Sequence, residues 1–167
     1  QAEKDYRIDR IKNKRGYFSP INGQNKKNFY EAWQNLIGSI EVTSRSIPLK
    51  GREIEVSVSA GKFANFSFEE LCVKPLGVAD YLAISNNYNI IFISDVPKLD
   101  SKKRNETKRF INLIDTFYEN KKILFILAET HPKDILIGGK DANIFQRTVS
   151  RLEEMQSSDY LDSIISE

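Results

Sequence analysis

An α/β fold with a mixed sheet is the class the sequence predicts, and three observations carry it. Two runs, "NIIFISDV" from Asn89 and "KILFILAE" from Lys122, are apolar on both faces, as strands buried in a parallel sheet are. Between them lies a segment with helical periodicity, so the pair reads as a parallel β-α-β unit with a right-handed crossover. Upstream, "SIEVTSRSIPLKGREIEVSVSA" holds two alternating, β-branched runs around "PLKG", which is the composition of a hairpin. The expected layout is one domain over residues 1–167, with a β-rich part and one helix at 1–65. An α/β part closed by a terminal helix follows at 66–167.

The elements follow in order. "DYRIDRI" alternates well enough for a short strand, and the polar stretch from Lys12 to Lys27, with Gly16, Pro20 and Gly23, reads as a loop. In "NFYEAWQNLIG" the residues Phe29, Trp33 and Leu36 fall at i, i+4 and i+7, a helix with a buried aromatic face that Gly38 is placed to stop. After the hairpin, Ser67 and Glu70 have the spacing of a capping box, in which each side chain satisfies an orphan amide of a helix start. "GVADYLAISNNY" predicts a second short helix after the break at Pro75 and Gly77. Then come the strand at Asn89, a helix from about Asn105 to Tyr118, the strand at Lys122, and a closing helix from about Ile144.

Composition excludes several functions. One cysteine, Cys72, forbids an internal disulfide framework, and one histidine, His131, leaves too few ligands for an ordinary zinc site, so no metal site is expected. No apolar run approaches the roughly 20 residues of a membrane span. Residues 1–52 carry eleven Lys or Arg against five Asp or Glu, whereas residues 153–167 carry five acids and no base. The basic third has no cation stripe interleaved with aromatics, so nucleic acid is not an expected partner and a solvated surface is preferred. His131 precedes Pro132 in a loop-like stretch, and no serine or cysteine has a nucleophile-elbow context, which argues against an independent hydrolase. The chain opens on Gln1 without the plan of a signal peptide, and is read as part of a longer polypeptide.

A strand that ends on a carboxylate, as "NIIFISDVPKLD" does at Asp95, invites comparison with the magnesium-holding strand of a P-loop ATPase. Such an enzyme needs G-x-x-x-x-G-K-[ST] to wrap backbone amides around phosphate, and the sequence has no such run. "IGGKDAN" lacks the earlier glycine and the hydroxyl after Lys140, so it reads as a loop. Asp95 is followed by Val96 and Pro97 rather than by Glu, which favours a strand-terminating turn over a metal ligand. Arginines are more suggestive. Arg109 borders the apolar face of its helix, and Arg147 and Arg151, four residues apart with Glu154 alongside, can present two guanidinium groups to one phosphate or one partner carboxylate. The alternative is a solvated face with an Arg151–Glu154 pair.

Several blocks together resemble the AAA+ ATPases often called AFG-one-like, or ZapE-type. They are "DYR" at 5–7, "GREIEV" at 51–56, "FSFEELCVKPLGVADYL" at 66–82, "FISDVP" at 92–97, "NETKRFINLIDTFYENKKILFILAE" at 105–129 and "FQRTVSRLEEMQSSDYL" at 145–161, in the family's order. All resemble the C-terminal part of such proteins. Where the family usually has two basic residues before the Phe of "RRF", Lys108 and Arg109 stand.

The resemblance implies a fold related to P-loop NTPases but without the P-loop. It also implies a parent ATP hydrolase, with ATP and Mg2+ as cofactors of the parent and none expected for this chain alone, which has neither a Walker A nor a Walker B motif. Arg147, Arg151 and Arg109, with Arg7 behind them, become candidates for sensing nucleotide or contacting a protomer. The implied partners are the N-terminal ATPase part of the same polypeptide, further copies in a homo-oligomer, and a cell-division protein, FtsZ if the source is bacterial. A bacterial protein would be cytoplasmic and a eukaryotic one mitochondrial. A function from another class is a non-catalytic module whose basic N-terminal third or acidic tail docks a partner protein.

Overall fold

The computed structural model describes residues 16–165, so the expected strand at "DYRIDRI" and the candidate Arg7 lie outside the described residues. Among the described residues six strands make one sheet, in the order β1-β6-β5-β4-β3-β2. These are β1 (Tyr17–Phe18), β2 (Thr43–Leu49), β3 (Arg52–Ala60), β4 (Phe63–Ser67), β5 (Ile90–Val96) and β6 (Ile123–Ala128). The hairpin is present: β2 and β3 are antiparallel with Ile47 opposite Ile54, and Gly51 at φ 80° makes the turn that a side chain would strain. β3 and β4 are also antiparallel. From β4 onward the sense changes, and β4, β5, β6 and β1 all run parallel. β5 and β6 form the expected parallel pair, with Phe92 level with Phe125.

The helices are α1 (Gly23–Ile37), α2 (Val78–Asn87), α3 (Arg104–Glu119), α4 (Ala142–Glu154) and α5 (Ser158–Ile165). The Asn22 side chain accepts from the Asn25 N–H at 2.8 Å to start α1, and Gly38 ends it at φ 57°. The buried face of α1 is the aromatic one expected: Trp33 and Phe29 meet Phe92 edge-on at 5.1 and 5.3 Å, and Phe92 stacks on Phe125 at 4.5 Å. Phe92 is fully buried, so Phe92→Ala removes about 3–5 kcal/mol. Strand alternation sends Ile91 and Ile93 to the other face. There α2, α3 and α4 pack on one another, through Tyr81 against Phe117 and Phe110 against Phe145.

Four local features differ from the sequence reading. The stretch 12–27 is not all loop, because Tyr17–Phe18 pairs with β6 and α1 begins at Gly23. β4 was not anticipated: Phe63 and Ala64, successive residues on opposite faces, are both buried, so "FANFS" lacks the polar alternation that marks a half-exposed strand. The capping box is real, with Ser67 N–H to Glu70 Oε1 at 2.8 Å and Glu70 N–H to Ser67 Oγ at 3.1 Å, but it opens a π-helical turn at Glu69–Val73 rather than an α-helix. The closing helix is two helices, broken at Met155–Ser157, where the Ser157 hydroxyl turns back to the Glu154 carbonyl and caps Tyr160 N–H.

Candidate functional site: an arginine pair on one carboxylate

The C-terminal ends of β4, β5 and β6 form an edge where an α/β protein can hold a ligand. Asp95 sits there at φ 59°, at a register shift between Ile93 and Val96, so it makes a bulge inside β5 rather than the expected strand-terminating turn, and Val96 still pairs with Ala128. Its side chain is exposed and lines two clefts of about 370 and 390 Å3. One also takes in Ser67, Glu106 and Lys103, and the other takes in Ile21, Lys98 and Glu129. Glu129 is engaged with the Lys98 N–H at 2.8 Å. Among the described residues no group of three or more His, Cys, Asp or Glu is placed to hold a metal. The run Gly138–Lys140 is a loop ahead of α4, with both glycines at positive φ, beside a cavity of about 220 Å3.

Arg147 and Arg151 stand one turn apart on α4 and converge on a carboxylate of α3. Arg147 Nη2 donates to Asp115 Oδ2 at 3.0 Å, and Arg151 Nη1 donates to Asp115 Oδ1 at 2.6 Å. Arg151 also reaches Glu119 Oε1 at 3.3 Å and lies over the Tyr118 ring at 4.7 Å. The Tyr118 hydroxyl donates to Glu154 Oε2 at 2.8 Å, a bond that raises the Tyr118 pKa above its ordinary value. Glu154 thus serves Tyr118, and Arg151 pairs across to α3. Accessibility separates the two cations: the Arg147 side chain is 58% exposed and that of Arg151 only 20%.

Arg109 is not part of this cluster. It lies near the other end of α3, where Nη1 donates to the Cys72 carbonyl at 3.1 Å and the Val73 carbonyl at 3.4 Å. A cation there satisfies the last carbonyls of the π-helical turn. The structure therefore brings two of the sequence candidates together and leaves the third apart. Asp115, Glu119 and Tyr118 were missed, although a signal existed: acids at i and i+4 on one helix match bases at i and i+4 on another. Burial pushes the nearby Cys72 thiol well above its ordinary pKa, which removes it from thiolate chemistry.

A family model described as AFG1-like ATPase matches residues 1–163. Cell division protein ZapE of Escherichia coli strain K12 is 31% identical over 157 residues, covering 94% of this chain and 42% of that protein. Lactation elevated protein 1 homolog B of Danio rerio is 34% identical over 149 residues, covering 70% of this chain and 29% of that protein. An uncharacterised Schizosaccharomyces pombe protein is 28% identical, with 95% of this chain and 42% of that protein covered. The chain thus spans less than half the length of these relatives. No solved structure matches. A family model that runs from the first residue almost to the last, with a relative matched along nearly the whole chain, places this protein in the AFG1-like ATPase family.

Proposed function

We propose that this chain is the C-terminal α/β segment of an ATPase whose nucleotide, with magnesium, is bound by another part of the same polypeptide. Arg147 is the observation that supports the reading. In a chain with no phosphate-binding loop of its own, α4 holds out an arginine whose guanidinium is tied on one edge and whose side chain is 58% exposed. Arg151 is held by two carboxylates and a ring, and Arg109 by two carbonyls, so both serve packing first. A guanidinium brought to a transferring phosphoryl group neutralises the charge that develops on its oxygens. Arg147 would do this for the nucleotide site, or make the contact between protomers of a homo-oligomer.

The parent would couple hydrolysis to remodelling in cell division or protein quality control. In a bacterial cytoplasm a cell-division protein such as FtsZ is the candidate partner, and a eukaryotic parent would work in mitochondria. The test is Arg147→Ala in the ATP-hydrolysing polypeptide that carries this segment. Turnover should fall roughly 10³-fold with little change in KM for ATP. Unchanged turnover in a folded variant sinks the reading.

One observation favours a second reading, a docking module without a catalytic contribution: Val73, Val78 and Leu82 are exposed along the π-helical turn and α2. Under that reading Leu82→Asp abolishes partner capture and leaves ATP turnover intact.

A further inference from the structure

The roles of the two arginines differ because their anchors differ. Arg151 has three: Asp115 Oδ1, Glu119 Oε1 and the face of Tyr118. Arg147 has one polar anchor among the described residues, Asp115 Oδ2. A long side chain with one anchor loses its direction when that anchor goes, whereas one with three does not. Asp115 is itself held, because Arg151 fixes its other oxygen. Orientation therefore passes from the ring and Glu119 to Arg151, then to Asp115, then to Arg147.

We propose that Asp115 is the positioning residue for Arg147, aiming its open edge at an anionic phosphoryl group supplied from outside this segment. The proposal rests on the reading of Arg147 given above. Asp115 does not touch the phosphoryl group. Its carboxylate takes only the Nη2 edge of Arg147 and leaves Nη1 and Nε outside that contact. In Asp115→Asn one carboxylate oxygen becomes an amide donor facing an arginine donor, so one arginine must be released. Arg151 makes the shorter bond, 2.6 against 3.0 Å, so the amide oxygen stays with Arg151 and Arg147 is the one let go. Removing a negative charge beside Arg147 also favours an incoming anion, so loss of aim and loss of affinity are separable.

The experiment is a double-mutant cycle on ATP turnover in the ATP-hydrolysing polypeptide that carries this segment, with Asp115→Asn, Arg147→Ala and the double variant. Asp115→Asn should lower kcat roughly tenfold without raising KM for ATP, and the double variant should match Arg147→Ala alone. If Asp115→Asn does not fold, Asp115→Glu replaces it, because it keeps the charge and moves it by one methylene. Its smaller kcat loss should likewise vanish in the Arg147→Ala background. Wild-type turnover in Arg147→Ala overturns the functional reading and this proposal with it. Reduced turnover in Arg147→Ala, with wild-type kcat in the Asp115 variant, overturns this proposal alone. So does an Asp115 loss of equal factor in both backgrounds, since structural damage would not depend on Arg147.

Discussion

Asp80 and Asp115 both hold arginines, and the conditions under which they do so are opposite. Asp80, on the first turn of α2, is 1% exposed; it accepts from Arg52 Nη2 at 2.9 Å, faces Arg52 Nη1 with its other oxygen, and accepts the Gly77 N–H at 2.7 Å. Asp115, in the second half of α3, is 23% exposed and shared by two arginines. A charge taken out of water has to be matched, and unmatching it costs several kcal/mol, whereas a carboxylate that water still reaches is partly screened and its pairs are worth about 1 kcal/mol or less. The same chemistry therefore does two jobs. Asp80 pins the end of the β2–β3 hairpin to α2, and Asp115 fixes a direction at little cost in stability.

The contrast can be broken most directly at Arg52. Arg52→Ala leaves the Asp80 carboxylate buried with one amide for company, and urea unfolding should show a loss of about 3 kcal/mol, near the low end for a broken buried pair because Arg52 is itself 48% exposed. Asp115→Asn should cost under about 1 kcal/mol in the same assay. Equal losses would mean that the α3–α4 cluster is structural in the way the Asp80 site is.

Tyr160 and Tyr118 repeat the contrast at smaller scale, stacked at 6.0 Å. The Tyr160 pKa is raised by burial first and that of Tyr118 by its bond to Glu154 first. A phenol raised in the folded state stabilises the fold fully below its unfolded value of about 10, and that contribution is lost as pH climbs past it. Denaturant midpoints measured from pH 9 to 11 should fall, and fall less steeply in Tyr160→Phe. The smallest effect belongs to Lys122, whose pKa is lowered by burial and then by Lys62. Its charged form disfavours folding below the folded pKa, and that penalty fades as pH rises through it. Lys122→Met should therefore stabilise at pH 7, by no more than about 0.5 kcal/mol, read from the thermal midpoint.

Much of this architecture was legible because burial leaves a period in the sequence. The β5–α3–β6 unit and the aromatic face of α1 were visible as runs and spacings around Phe92, Phe117 and Trp33. β4 was not, because a strand buried on both faces keeps no alternation, and neither was the Met155–Ser157 break, where backbone turns and the Ser157 hydroxyl act together. The arginine pair was legible as a spacing but its partner was not. Which carboxylate meets Arg147 is decided by how α3 and α4 pack, a relation between segments about 30 residues apart that no local pattern encodes.

The change of strand sense at β4 bears on how the chain folds. β2, β3 and β4 are joined by turns at Lys50–Gly51 and Gly61–Lys62, so their pairing closes only short loops, whereas each parallel neighbour of β5 waits for a helix to cross over. The meander is thus the part that can form early and offer β4 as a finished edge on which β5 and then β6 assemble. Ile54→Val should accordingly slow refolding, with a φ-value well above that of Ile126→Val at the far side of the sheet.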